Sequence, residues 1–253
     1  FFELGTSSET LGYLGSRDMI TTFFKQETSK DHKGWGRTKY RFRGHAQEPF
    51  WAWVCSWARS LRRPSDLGFD DTRFILPPLV ETEYIVETAK TRDGMLFATA
   101  GRDLQEEREE RRNSIGERCE MAAKVAHDCD GPTVLWCELN EEGQRLSRII
   151  EGSKEIKGSM PDELKEEYLT AFSSGQIKRL IIKPKIGAWG LNWQHCSNVV
   201  SFPSHSYEQY YQAIRRCYRF GQTKPVSVSL IVGEGEAGIL KNIRRKADQT
   251  DHM

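Results

Sequence analysis

Two regimes of hydrophobic patterning divide the chain near residue 130. In the first, Gly and apolar residues mix over positions 1–24 and predict one short helix around Met19–Phe24. Positions 25–46 are polar, basic and Gly-containing, which predicts a loop with a hairpin at Lys39–Arg43. Phe50–Arg63 places Trp53, Trp57 and Leu61 at i, i+4 and i+8, the spacing of an aromatic amphipathic helix with a cationic end. Trp51 and Arg59 lie off that stripe. Pro64–Gly68 reads as a turn, Leu76–Leu79 as a break and Thr82–Val86 as a strand. Asp103–Asp128 predicts one long charged helix, because acids precede bases at i+3 or i+4. It reads as a connector into a new domain.

From Gly131 apolar β-runs alternate with helical segments. Pro132–Leu139, the stretch KRLIIKPK, Asn198–Phe202 and Val226–Val232 are the β-runs. Between them lies a helix with Leu146, Ile149 and Ile150 on one face, followed by a Gly turn in EIKGSM. A second helix starts at Pro161 and ends at Gly175. A third, SYEQYYQAIRRCYRFG, can be capped by Ser206. Strands alternating with helices over about 100 residues predict a parallel α/β sheet, in which ligands bind in the loops after the strands.

The 253 residues carry a net charge of only +1, but the charge is unevenly spread. Lys25–Arg63 holds ten Lys or Arg against Glu27, Asp31 and Glu48. Lys178–Lys246 holds twelve against Glu208, Glu234 and Glu236. Two basic blocks suit a polyanion such as nucleic acid or nucleotide phosphate, and equally a solvated surface. No run of about 18 apolar residues exists, which excludes a hydrophobic membrane helix. The six cysteines form no C-x-x-C pair, so reduced thiols and a cytoplasmic setting are expected. Cys119, His127, Cys129 and Cys137 match no zinc spacing, and no metal site is expected.

Two segments carry candidate chemistry. In Lys183–Gln194 (KPKIGAWGLNWQ), Gly187 and Gly190 allow close backbone approach to a phosphate, Lys183 and Lys185 add charge, and Trp189 and Trp193 offer stacking surfaces. A structural turn explains the same residues. In Gln212–Gln222 (QAIRRCYRFGQ), Arg215, Arg216 and Arg219 crowd together at a cost in repulsion. On a continuous helix Arg216 and Arg219 share a face and reach one phosphate. Arg suits that task because its planar fork is always charged.

The order of these segments resembles the second RecA-like lobe of superfamily 2 DEAD/DEAH-type helicases, most closely the Swi/Snf-like branch. KPKIGAWGLNW aligns with motif V (S-T-K-A-G-G-x-G-I-N-L), and QAIRRCYRFGQ fits motif VI (Q-A-x-x-R-x-x-R-x-G-Q). VLWCELNEEG resembles motif IV, IKGSM the short segment after it, and AFSSG the segment before motif V. FFELGT resembles the segment just past motif III, and FWAWVCSWA with RRPSDLG and LPPL resembles the insertion of phage-type members. The resemblance implies a chain that starts just after motif III. Residues 1–85 are then the end of lobe 1 with a helical insertion, 86–130 a linker and connector helix, and 131–253 the RecA-like C-terminal lobe.

By the same resemblance the protein is an ATP-dependent helicase or translocase on nucleic acid, expected to be double-stranded DNA, in a bacterial or phage-infected cytoplasm. Arg219 aligns with the arginine finger, Arg216 with its partner and Gln212 with the Gln that orders the cleft. Gly187, Gly190 and Asn192 align with the motif V nucleotide-coupling residues. Ser159, Lys183, Lys185 and Trp189 fall at nucleic-acid contacts. ATP and Mg2+ are expected to be held mainly by lobe 1, since no G-x-x-x-x-G-K-[ST] and no acidic Walker B box occur here. This stretch is therefore expected to hydrolyse no ATP alone. Lys183 and Pro184 depart from the family's Ser-Thr. Two other readings compete: a non-catalytic nucleic-acid-binding module, and a different phosphate enzyme, for which no paired carboxylates or His cluster sit near the motifs. His195 and His205 read as structural.

Overall fold

The computed structural model describes residues 1–30, 36–61, 63–88, 104–187 and 190–251. The chain divides into two compact units, Phe1–Arg73 and Phe74–Met253.

The first unit contains α1 (Phe2–Thr10), α2 (Ser16–Phe23), an antiparallel hairpin of β1 (Phe24–Lys30) and β2 (Gly36–Phe42), and α3 (Gln47–Trp57). Its core is Met19, Phe23, Phe24, Phe50 and Val54. The Phe50 ring meets Phe23, Phe24 and Phe42 at 5.3–5.5 Å between centroids. The buried stripe of α3 is thus Phe50 and Val54, not Trp53, Trp57 and Leu61. The two tryptophans are half-buried, and Leu61 lies past the helix end, 54% exposed. Helix α1 escaped the sequence reading because it buries only Gly5 and Ser8. A Cβ at Gly5 would stand 2.6 Å from the Met19 side chain, so its glycine is what lets α1 close on α2. The hairpin is longer than expected because its outward positions are polar, which hides the alternation.

The second unit runs β3 (Leu79–Val86), α4 (Leu104–Asn113), α5 (Ile115–Asp128), β4 (Thr133–Trp136), α6 (Asn140–Ile149), β5 (Lys154–Ile156), α7 (Asp162–Ser173), β6 (Arg179–Ile182), α8 (Pro184–Gly187), β7 (Asn198–Ser201), α9 (Tyr207–Ile214), β8 (Val226–Gly233) and α10 (Ala237–Asp251). Its six strands form one sheet in the order β3-β8-β7-β4-β6-β5, every pairing parallel. The α/β class with flanking helices is the one expected. Both faces of the four central strands β8, β7, β4 and β6 are covered, so these read as nearly continuous apolar runs. Val134, Trp136, Leu180, Ile182, Val199 and Val228 face one core. Leu135, Ile181, Val200 and Ile231 face the other, with Cys119, Ala122 and Ala126 of α5 against them.

Three boundaries differ from the sequence reading. β3 pairs with β8 from Leu79↔Val226 to Val86↔Gly233, so the second unit begins at Phe74 rather than at 86 or 131. The 103–128 segment is two helices broken at Ser114, whose buried hydroxyl donates to the Glu110 carbonyl at 3.0 Å and accepts from Arg118 Nε at 3.0 Å. The EIKGSM stretch is an edge strand, β5, before it turns. Among the described residues no helix is long and apolar enough to cross a membrane.

Candidate functional site

Strand β6 delivers the chain to Lys183, and Pro184 then opens the single turn of α8 as its first residue, where its missing N–H costs nothing. Lys183 O accepts from Ile186 N at 2.9 Å and Gly187 N at 3.1 Å. Gly190 then adopts φ +73°, which favours glycine, and turns the chain into Leu191 and Asn192. The segment after α9 is tied to this loop along its length. Trp193 N donates to Arg216 O at 2.8 Å, and Gln194 Nε2 donates to Phe220 O at 3.3 Å. Buried Gln222 donates from Nε2 to Cys196 O (3.1 Å) and Cys217 O (3.2 Å), while its Oε1 accepts from Thr223 N and Lys224 N, each at 2.9 Å.

The arginines sit on this frame. Helix α9, capped by Ser206 Oγ accepting from Gln209 N, ends at Ile214, so Arg216 and Arg219 do not share a helix face. A carbonyl brings them together instead. Arg216 Nη1 donates to Leu191 O at 3.0 Å, and Arg219 Nη1 reaches the same oxygen at 3.4 Å. Arg219 also bonds Asn192 Oδ1. Gln212 orients Arg216 through its backbone oxygen and Oε1, each at 3.1 Å. Arg215 turns away, its guanidinium 5.0 Å from the Tyr211 ring centroid and 5.4 Å from that of Tyr218. Among the described residues no carboxylate pairs with Arg216 or Arg219, and Arg219 Nε is buried without a hydrogen-bond partner. Burial, and then the Arg219 charge, lower the Arg216 pKa from its ordinary value. Two unneutralised guanidiniums held on one backbone oxygen can receive an anion.

The other candidates are distributed differently. Gly187 is buried, and a Cβ there would lie 2.6 Å from Ile182 Cδ1 and 3.3 Å from Trp136, so this glycine is required by packing. Lys183 is half-buried, whereas Lys185 and Ser159 are exposed, and Ser159 lies after β5 rather than in the arginine cluster. Trp189 lies outside the described residues. Trp193 is not a stacking surface: it is fully buried, donates Nε1 to Ser173 Oγ at 3.1 Å and packs on Trp136 and Phe172. His195 stands edge-on to Phe172, and burial lowers its pKa. His205 accepts Lys246 Nζ on its backbone oxygen at 2.9 Å. Cys119 and Cys137 are buried, with burial raising both thiol pKa values, and His127 is a surface residue beside Asp128.

One cluster escaped the sequence reading. Arg118 on α5 is fully buried and donates Nη1 to Glu142 Oε1 at 2.7 Å, with its Nε 3.3 Å from Glu236. Arg111 lies 3.5 Å from Glu142 and 3.3 Å from Glu236, and donates to Pro203 O at 2.7 Å. Glu142 Oε2 accepts the backbone N–H groups of Glu138 and Leu139, both at 2.8 Å. Charge alternation on a long helix gives no sign of which charges go inside.

Residues 123–221 match the family described as "Helicase conserved C-terminal domain". A stretch of 107 residues is 30% identical to the Transcriptional regulator ATRX homolog of Caenorhabditis elegans, covering 38% of this chain and 8% of that protein. The C-terminal part of the Fun30 ATPase domain is similar at 18% identity with a TM-score of 0.44, over 52% of this chain and 45% of that one. The RNA-helicase Prp28 from Chaetomium thermophilum is similar at 16% identity with a TM-score of 0.48, over 69% and 37%. The chain thus spans less than a tenth of the curated relative and under half of these two structures. The residues that match the helicase conserved C-terminal domain, 123–221, include the Leu191–Asn192 loop and both converging arginines, and they lie within the parallel α/β unit.

Proposed function

We propose that this chain is the C-terminal part of an ATP-dependent motor, a helicase or translocase acting on double-stranded DNA in the cytoplasm, with Arg219 as its arginine finger. The observation that carries the reading is the convergence of Arg216 and Arg219 on Leu191 O with no carboxylate partner among the described residues. The fit to a nucleotide phosphate is favourable: two cations, one buried unpaired N–H at Arg219 and a glycine-turned loop beneath them. Mg-ATP, when bound, supplies the phosphoryl group whose developing charge an arginine stabilises, an effect of about 10³–10⁵ in rate. Arg219 meets that charge, Arg216 braces the loop, and Gln212 holds the Arg216 fork in plane. Gly190 and Asn192 carry loop position to Arg219, and Gly187 seats that loop on Ile182 and Trp136. Ser159, Lys183, Lys185 and Trp189 are proposed to contact the nucleic acid.

ATP and Mg2+ are held mainly by an N-terminal lobe of the same protein in this reading, so the 253-residue chain alone turns over no ATP. The test is ATP hydrolysis by the full-length protein, with and without duplex DNA, for wild type and Arg219→Ala. DNA-stimulated turnover that falls about 10³-fold or more in the variant, with ATP binding kept, is expected. Turnover unchanged in the variant would overturn the finger assignment. Absent turnover with DNA still bound would leave a non-catalytic binding module.

A further inference from the structure

The β1–β2 hairpin of the first unit has two unlike faces. Its register pairs Phe24 with Phe42, Lys25 with Arg41, Gln26 with Tyr40 and Glu27 with Lys39. Because side chains alternate, Phe24 and Phe42 lie on one face and Lys25, Glu27, Lys39 and Arg41 on the other. The first face packs inward, with the Phe24 and Phe42 rings 5.5 and 5.3 Å from Phe50. The second is open: Lys25 and Arg41 expose 54% and 68% of their side chains, and Lys39 is exposed.

Three cations on this face surround one acid. Glu27 lies 3.1 Å from Lys25 Nζ through one oxygen and 3.1 Å from Arg41 Nε through the other. The hydrogen bond from Lys25 holds the Glu27 carboxyl below its ordinary pKa, against a smaller opposing effect of burial and with added help from Arg41, Lys25 and Lys39 charges. The acid is therefore ionised at neutral pH and neutralises about one of the three bases. Arg43, past the end of β2, does not join them, because its Nε donates back to Phe24 O at 2.9 Å.

We infer that the outer face of this hairpin is a second nucleic-acid contact, on which Lys25, Lys39 and Arg41 bind the phosphate backbone of a duplex and Glu27 limits the affinity. This rests on the nucleic-acid reading above and adds a surface that the helicase domain does not contain. Charge complementarity names the occupant. Lys39 and Arg41 stand about 6.7 Å apart along β2, and Lys25 lies about 4.8 Å across from Arg41, so the three spread their charge over a patch that successive backbone phosphates can meet. A two-stranded ribbon is also a shape that the major groove of a duplex admits.

The experiment is binding of a 30-base-pair DNA duplex by the full-length protein across a salt series. Three forms are compared: wild type, the triple variant Lys25→Gln, Lys39→Gln, Arg41→Gln, and Glu27→Gln. Each lost phosphate contact lowers the slope of log affinity against log salt by about 0.9, so the triple variant is expected to lose about 2–3 from the slope and about tenfold or more in affinity. Glu27→Gln removes the neutralising charge and is expected to bind about two- to fivefold more tightly. If circular dichroism shows the triple variant unfolded, Glu27→Gln decides, and unchanged or weaker binding there overturns the inference. Wild-type binding with an unaltered triple variant overturns the hairpin site alone. No wild-type binding overturns the motor reading with it. Poly-glutamate bound as tightly as DNA, with the same loss in the variant, overturns nucleic acid as the occupant.

Discussion

Gln222 shows how much of the arginine geometry is held by a neutral side chain. Its buried amide makes four hydrogen bonds, joining the loop at Cys196 to the segment at Cys217 and closing the turn into Thr223 and Lys224. Replacing it with Leu keeps the apolar bulk but strands two carbonyls and two backbone N–H groups. The expected cost is about 1–3 kcal/mol of unfolding free energy in urea denaturation, the penalty for buried polar groups left unmet. An unchanged midpoint would show that the two segments are held by other contacts. At this scale the sequence was legible where a residue type announces its chemistry. Arg215, Arg216 and Arg219 stand out because three arginines in five positions repel one another, whereas Gln212 stands out only through the resemblance to motif VI. What they converge on was not legible, since the acceptor is the backbone oxygen of Leu191, and any residue there offers one. Trp193 was legible as a residue and misleading as a stacking surface, because it fills the core beside Trp136, while the room that Gly187 makes for Ile182 and Trp136 was not legible at all.

Helices α4 and α5 are bound to the lobe by charge as well as by apolar contact. Arg111 and Arg118 reach inward to Glu142 at the start of α6 and Glu236 just past β8, linking elements that are distant in sequence. Glu142→Gln leaves Arg111 and Arg118 to share the single charge of Glu236, one buried cation in excess, and a loss of about 3–5 kcal/mol in stability is expected from equilibrium unfolding. The same carboxyl gives a pH dependence. Burial alone would raise its pKa, but Arg118 and Arg111 outweigh burial and lower it. A group with a lowered folded pKa stabilises the fold above its unfolded value, about 4.3, and that stabilisation is lost as pH falls through the folded value. Wild type is therefore expected to lose stability on acidification below about pH 4, and Glu142→Gln to lose less over the same range. Equal acid sensitivity in the two proteins would place the titrating group elsewhere. This cluster was not legible beforehand, because charges at i+3 and i+4 on a helix normally face water. Burial of Arg118 depends on where α6 and β8 end. Strands β4, β6, β7 and β8, in contrast, were readable from their apolar runs, whereas β5 is three residues long with one buried position.

The two units differ in the kind of core that each owns, and this sets how the whole molecule should unfold. Phe1–Arg73 closes around five buried apolar residues, most of them aromatic, and a two-stranded hairpin. Phe74–Met253 closes around a six-stranded sheet whose central strands are covered on both faces. A unit of about 70 residues buries a smaller share of its surface than one of about 180 and is marginal in stability by that measure. The patterning break near residue 130 concealed this division, because the strand that opens the second unit, β3, pairs only with β8, nearly 150 residues later in the chain. Urea unfolding of this chain is thus expected to show two transitions. Amides of β1, β2 and α3 should exchange with solvent at lower urea than those of β4, β6, β7 and β8. Residues 74–253 produced alone should keep the second transition at its original midpoint. A single transition with all amides released together would mean that the two cores unfold as one cooperative body.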